Sequence, residues 1–149
     1  MIYVDANIFI HAYWKPRKKI IAPKTKWMKA EAKNIVTQIN NQENLFCISL
    51  LQMSEIANIL KSAMTWDQLK DFLWGLISNP SIDLVEISKA QFISAVDKIT
   101  EFGMDPNDIT AYLIMQEKEI SEIFTFDQHF GQLPGITVLP LMPDFFNGE

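Results

Sequence analysis

The chain has 149 residues, 48% of them hydrophobic and 21% charged, which is the composition of a globular protein long enough to bury a core. Its one cysteine, Cys47, excludes an internal disulfide and a cysteine-based zinc site. No apolar run approaches the roughly 20 residues that cross a bilayer, and Asp5 interrupts the apolar N-terminal segment, which argues against a secretory signal. We therefore expect one domain over residues 1–149 in a cytoplasmic protein with no membrane contact.

The first half of the chain predicts two strands and four helices. Apolar runs predict strands at 2–4 and 45–48. Helical spacing of apolar residues predicts helices at 6–14, at 26–40, after Ser49 and after Thr65, with residues 15–25 as a loop. Ser49 and Thr65 are the expected N-caps, and Gln68 completes a capping box with Thr65.

The second half predicts three more strands, at 82–87, 122–126 and 136–139. A helix is expected from a Ser88 cap to about Phe102, ending at Gly103. Another is expected to begin at Asp105-Pro106, an acidic N-cap followed by proline in the first helical position. Short apolar strands that alternate with helices predict a parallel sheet covered on both faces, which is a three-layer α/β/α sandwich.

Charge is distributed unevenly along the chain, although the net charge is only −5. Residues 15–33, called the basic arm below, hold eight of the thirteen Lys and Arg residues against one acid and carry +7. The remaining chain carries −12. This asymmetry predicts that the arm, treated as an insertion, contacts a polyanion, with Lys18, Lys19 and Lys24 as candidate substrate-binding residues. The alternative is a solvated loop followed by an exposed helix face.

Four acids are predicted at the edge of the sheet where parallel strands end, the edge at which such sheets bind ligands. Asp5 ends the first strand, Glu55 lies about two turns into the helix after the second, Asp108 begins the helix before the fourth, and Asp127 follows the fourth. Acids gathered there repel one another unless a cation joins them, and oxygen ligands favour Mg²⁺ or Mn²⁺ over zinc. We therefore predict a site for one or two of these ions.

Each acid also has a purely structural interpretation. Asp5 and Asp105 suit N-caps, Asp108 suits a helix N-terminus, Asp127 suits a strand end and Glu55 suits an exposed helix face. Asp105 fits a cap better than a ligand, although it lies three residues before Asp108 and is near enough to reach the same site. His11 and His129 fit packing or surface positions better than the role of a base. No serine, cysteine or histidine in these segments suits a nucleophile, which favours attack by a metal-activated water.

The segments VDANIFI, SLLQMSEIANIL, NDITAYLIMQE, FTFDQHF and GITVLP occur in this order and resemble a PIN domain of the VapC-like kind. The resemblance spans essentially the whole chain and implies a PIN-like fold. It implies a metal-dependent ribonuclease, and many VapC-like proteins are the toxin of a toxin–antitoxin pair. It places the family's acids at Asp5, Glu55, Asp108 and Asp127, with Thr125 as a supporting polar residue and Asn7 as a site neighbour.

The resemblance leaves two features open. The basic arm looks longer than its counterpart in compact family members, and the body is acidic, so the path of RNA does not follow from the family. A non-catalytic RNA-binding or protein-interaction module with the same fold is the alternative function. Candidates for a homodimer or antitoxin surface are the four tryptophans, which core packing explains equally well: Trp14, Trp27, Trp66 and Trp74.

Overall fold

The computed structural model describes residues 1–17 and 19–146. Five parallel strands form one sheet in the order β3-β2-β1-β4-β5. They are β1 (Ile2–Val4), β2 (Phe46–Ser49), β3 (Ile82–Val85), β4 (Glu122–Phe124) and β5 (Thr137–Leu139). The helices are α1 (Ala6–Tyr13), α2 (Pro23–Asn40), α3 (Leu50–Leu60), α4 (Trp66–Ile77), α5 (Lys89–Asp97), α6 (Ile99–Phe102) and α7 (Pro106–Glu117). Two 3-10 helices follow, at Gln128–Gln132 and Asp144–Phe146.

The strands are buried on both faces because alternate side chains point into two separate cores. Ile2 and Val4 of β1 join the core that contains residues of α1 to α4, whereas Tyr3 joins the core built around α7. The predicted three-layer α/β/α sandwich is therefore confirmed. No helix within residues 1–17 and 19–146 is long and apolar enough to cross a membrane.

Local capping chemistry sets the helix starts as predicted. Ser49, Thr65 and Ser88 accept hydrogen bonds from the backbone N–H three residues on, and Asp105 accepts one from Asp108. Gly103, with a φ of 60°, ends α6 in the left-handed conformation that glycine adopts without strain.

Two helix predictions were wrong, one in the residue where the helix begins and one in the continuity of the helix. Helix α2 begins at Pro23 rather than at residue 26, because proline lacks the N–H that a first helical position leaves unbonded. The helix predicted to run from Ser88 to Phe102 is interrupted at Lys98, whose N–H donates to Ala95 three residues back and so closes the turn more tightly.

The strand order creates a switch point beside β1. After β1 the chain builds β2 and β3 on one side, and it then crosses to build β4 and β5 on the other. The carboxyl ends of β1 and β4 are thus adjacent, with the Asp5 N–H donating to the Phe124 carbonyl at 3.0 Å. This crevice is where open parallel sheets bind ligands.

Candidate active site at the carboxyl edge of the sheet

Asp5 is buried at the switch point and is held by a residue of the neighbouring strand end. Thr125 Oγ1 donates a 2.6 Å hydrogen bond to Asp5 Oδ2, and both residues are buried. Asp5 occupies the N-cap position of α1, but its side chain makes no capping hydrogen bond. The carboxylate is therefore directed to this crevice rather than to the helix end, which removes the capping interpretation.

Thr125 also organises the residues around it. Its hydroxyl accepts from Asn7 Nδ2 at 3.2 Å and from the Asp127 N–H at 3.0 Å, which uses both acceptor positions besides the one donor. Asn7 Oδ1 accepts from the Phe126 N–H at 3.3 Å. The Asp5 carboxylate, the Asn7 amide and the backbone of Asp127 are thus held together by a single hydroxyl.

Helix α7 brings a third carboxylate to the same edge. Asp108 lies in its first turn and is partly buried, and Asp105 caps the helix by accepting from the Asp108 N–H at 3.0 Å. Because α7 leads into β4, its N-terminus lies over the carboxyl ends of the strands. Asp105 is exposed and its carboxylate is used as a cap, as the sequence favoured.

Glu55 lies in α3, which starts at the carboxyl end of β2. It is partly buried, and its pKa is raised by burial and then by the charge of Asp105. The interpretation as a fully solvated helix-face residue therefore does not hold.

The charges of these acids act on one another. The pKa of Asp5 is raised to about 6, chiefly by burial and then by the charges of Glu55 and Asp127, while the Thr125 hydrogen bond opposes the shift. Burial likewise raises the pKa of Asp108 to about 8, helped by Asp105, Asp5 and Asp127. The charges of Asp5, Glu55, Asp108 and Asp127, together with that of Asp105, thus act on one another, and a bound positive charge would reduce their repulsion.

The donor set fits a divalent cation of the Mg²⁺ type. All four acids supply carboxylate oxygen, and within residues 1–17 and 19–146 no Lys or Arg forms an ion pair with any of them. The one side chain in those ranges at ion-pair distance from any of them is the exposed His129, whose Nδ1 lies 3.0 Å from Asp127 Oδ1 and which carries a charge only when its ring is protonated. In the same part of the chain no three acidic, His or Cys side chains lie close enough together to enclose an ion.

A buried polar network next to Asp5 was not predicted from the sequence. Gln52, which is 2% exposed, accepts a 2.5 Å hydrogen bond from the Ala6 N–H at the start of α1. Ser49 Oγ accepts from the Gln52 N–H and from the Tyr3 hydroxyl. The only sequence signal was a glutamine among the apolar residues of α3, and its partner lies 46 residues away.

The basic arm is less uniform than its charge suggests. Lys19 is exposed and Lys24 partly so, whereas Lys18 lies outside the described residues. Lys29 has a structural use, because its Nζ donates to the carbonyls of His11, Ala12 and Trp14 at the C-terminal end of α1.

The tryptophans divide between core and surface. Trp27 packs against Phe126 and Phe146, with ring centroids 6.1 and 5.9 Å away. Trp14, Trp66 and Trp74 are 42%, 75% and 61% exposed, which leaves them available for contacts with other molecules.

Comparison with known proteins identifies the family. A family model described as PIN domain matches residues 2–136. No curated protein sequence matches the chain. Three solved structures share its fold at low sequence identity. A toxin–antitoxin complex from Klebsiella pneumoniae gives a TM-score of 0.62 at 17% identity, with 92% of this chain and 96% of that chain covered.

The other two are named VapC20 and VapBC2. VapC20 of Mycobacterium tuberculosis, described as a toxin that cleaves the sarcin–ricin loop, gives a TM-score of 0.65 at 13% identity and covers 89% of this chain and 94% of its own. VapBC2 of Rickettsia felis, bound to a DNA fragment from its promoter, gives a TM-score of 0.57 at 16% identity, with 93% of this chain and 97% of that chain covered. Because the family model spans most of the chain, from residue 2 to residue 136, this protein belongs to the PIN domain family.

Proposed function

We propose that the protein is a metal-dependent ribonuclease that hydrolyses RNA phosphodiester bonds with an activated water. The observation that supports this most strongly is the cluster of four carboxylates at the switch point, which lacks a Lys or Arg partner within the described residues. Proteins of this fold include an RNA-cleaving toxin, VapC20, which is consistent with the proposal.

Each residue of the site has a defined task in this proposal. Asp5, Glu55, Asp108 and Asp127 would hold Mg²⁺ or Mn²⁺. When bound, one or two such ions supply positive charge to the phosphate and lower the pKa of a water molecule. Thr125 and Asn7 orient Asp5 and Asp127 through the hydrogen bonds described above, and a carboxylate of the cluster accepts the proton of the attacking water.

The described nucleophilic side chains near the site support attack by water rather than by the protein. The Cys47 thiol is buried within β2, and burial raises its pKa to about 12, so it remains protonated. The Ser49 hydroxyl is buried and accepts hydrogen bonds from the Tyr3 hydroxyl and the Gln52 N–H. We therefore expect no covalent enzyme intermediate.

Two partners follow from the same proposal. RNA is the substrate, and the cations of the arm, Lys19 and Lys24 with Lys18 beside them in sequence, would bind its phosphates. An antitoxin protein is the second partner, by analogy with the toxin–antitoxin complexes of the same fold. The exposed Trp66 and Trp74 of α4 are candidate contacts for that protein or for a second copy of the chain.

Cleavage of a structured RNA tests the function. We expect cleavage with Mg²⁺ or Mn²⁺, none in excess chelator, and little with Ca²⁺, whose looser geometry positions water less strictly. Asp5→Asn and Asp127→Asn should each reduce the rate by more than the roughly 10- to 100-fold that loss of an outer-shell partner costs. Asp97→Asn, at an exposed acid of α5, is the matched control and should cleave normally.

Two results would refute the proposal. Cleavage that persists in the Asp5→Asn, Asp127→Asn double variant would show that the activity arises elsewhere. RNA binding without metal-dependent cleavage by the unmodified chain would instead support the non-catalytic module.

A further inference from the structure

An open pocket of about 680 Å³ lies between the C-terminal end of α1 and the loop of the basic arm, and we call it the α1–arm pocket. Its lining includes two aromatic residues, two isoleucines, a cation and a hydroxyl, namely His11, Trp14, Ile20, Ile21, Arg17 and Thr25. No described residue that lines it is acidic. A mainly apolar pocket of this size with a few polar groups is typical of a small-ligand site.

This pocket adjoins the acid cluster. Asn7 and His11 are four residues apart on α1, so they lie on one helix face with their side chains about 5–6 Å apart at the Cβ atoms. The His11 ring packs edge-on against Phe126, with 5.2 Å between centroids, and Phe126 directly precedes Asp127. A strand bound over Asn7 and Asp127 therefore reaches the pocket one helix turn farther on.

Charge and shape together indicate the kind of ligand. The pocket offers a Trp14 ring that is 42% exposed and an exposed cation, Arg17, in its lining. Lys15 and Lys19, which are each within two residues of Arg17 or Ile20 in sequence, are exposed cations as well. A ligand that matches both features has a flat apolar part flanked by negative charges. An unstacked nucleotide of a single-stranded RNA meets this description, because bases stack on aromatic side chains while the flanking phosphates bind cations.

We propose that the α1–arm pocket receives one unstacked base of the RNA substrate close to the scissile phosphate. The base lies against Trp14 and His11, and its flanking phosphates contact Lys15, Arg17 and Lys19. This inference rests on the proposed function, since the acid cluster fixes where the RNA strand begins. An acidic peptide with an apolar side chain shares part of this chemistry and is separated from RNA by the experiment below.

The pocket is tested by the binding of short single-stranded RNAs to the full chain carrying Asp5→Asn, which we expect to hold RNA without cutting it. A fluorescent purine analogue is placed at successive positions, and each RNA is paired with one that is abasic at the same position. At one position we expect quenching of the analogue, and we expect the abasic RNA to bind about 5- to 150-fold more weakly, the loss that removal of one base–aromatic stack produces.

Trp14→Ala in the same background should remove the quenching and weaken binding of the intact RNA by a similar factor. Binding of the abasic RNA should not weaken further, because the substitution and the missing base remove the same stacking interaction. Trp74→Ala, an exposed tryptophan of α4, is the matched control and should change neither.

Equal affinity of intact and abasic RNAs at every position, or unchanged binding by Trp14→Ala, would overturn the inference. The inference would also be overturned if Trp14→Ala weakened the binding of a synthetic peptide of alternating Glu and Leu but left the binding of RNA unchanged. If the pocket behaves as expected but the unmodified chain cleaves nothing with Mg²⁺ or Mn²⁺, the proposed function fails and the base pocket stands.

Discussion

The acid cluster and the basic arm are built in opposite ways. The cluster takes its residues from both sides of the switch point and fixes Asp5, Asn7 and Asp127 through the Thr125 hydroxyl. The arm gathers its charge within one stretch of sequence, and Lys19 and Arg17 are exposed on its loop. The difference indicates that chemistry requires fixed geometry, whereas the attraction of a polyanion requires only charge density. Substitutions in the cluster should therefore change metal affinity and cleavage rate, whereas substitutions in the arm should change the salt dependence of RNA binding.

Among the residues that support the cluster without being proposed ligands, the largest effect is expected at Thr125, which bonds to Asp5, Asn7 and the Asp127 N–H. Thr125→Val keeps the side-chain shape but leaves Asp5 without its donor and the Asp127 N–H without its acceptor. We expect a loss of about 10- to 100-fold in Mn²⁺ affinity and in the cleavage rate, as for other outer-shell partners. Thr125→Ser keeps the hydroxyl and should retain most of both, as measured by calorimetric titration and cleavage. Equal losses in the two variants would show that the hydroxyl is not the cause.

Gln52 should affect stability as well as the site. Gln52→Leu leaves the buried Ala6 N–H unpaired beside Asp5, at a cost of about 1–3 kcal/mol in the free energy of unfolding. Urea denaturation should show this loss. Gln38→Leu, a glutamine of α2, is the control, and a Gln52→Leu variant no less stable than that control would contradict the assigned hydrogen bond.

The repulsion among the acids predicts an unusual pH dependence for the metal-free protein. Asp108 has a pKa of about 8 in the folded state against an ordinary value of 3.8, so the folded chain holds a proton that the unfolded chain loses between these values. Stability should therefore fall as the pH rises from about 4 to about 8. Asp108→Asn should flatten this fall and raise the melting temperature near pH 8, by about 2–4 °C for each kcal/mol relieved.

Saturating Mg²⁺ should likewise flatten the pH dependence in the unmodified protein, because bound cations offset the repulsion. Calorimetric melting curves across the pH range, with and without Mg²⁺, provide the measurement. A pH profile identical in Asp108→Asn and the unmodified chain would contradict the coupling.

Cation substitutions in the arm should have the smallest effect, confined to RNA binding. Removing one cation that binds a phosphate of a single strand lowers the salt slope of binding by about 0.7. Lys19→Gln with Lys24→Gln should therefore flatten the slope by up to twice that amount without changing stability. The control is Lys61→Gln with Lys70→Gln, at exposed cations outside the arm. An unchanged salt slope in the arm variant would support the alternative interpretation, in which the arm is a solvated surface that binds no phosphate.

Lys29 also belongs to the arm, but we expect its substitution to change stability more than RNA binding. Because it caps the C-terminal end of α1, Lys29→Met should lower the melting temperature. Its effect on the salt slope should be smaller than that of Lys19.

What the sequence revealed depended on the range of the interactions involved. The caps at Ser49, Thr65 and Asp105 were predictable because each bonds to a residue three positions away. The placement of Asp5 and Asp127 at one edge followed from parallel topology, which puts all strand ends on the same side. Their assignment as metal ligands stays a prediction.

Other features depend on tertiary interactions that no local pattern encodes. Gln52 bonds to Ala6, and Lys29 bonds to carbonyls at least 15 residues away. The α1–arm pocket arises where a loop folds back on α1, and loop conformation is set by such long-range interactions rather than by spacing.

A Mn²⁺ titration, in which the free ion is followed by electron paramagnetic resonance, tests the central claim most directly. The claim is that Asp5, Glu55, Asp108 and Asp127 form one divalent-metal site. We expect saturable binding of one or two ions by the unmodified chain, at least about 10-fold weaker binding by Asp5→Asn, Asp108→Asn and Asp127→Asn, and unchanged binding by Asp97→Asn. Equal binding by all five proteins, or no saturable binding by any, would contradict the account.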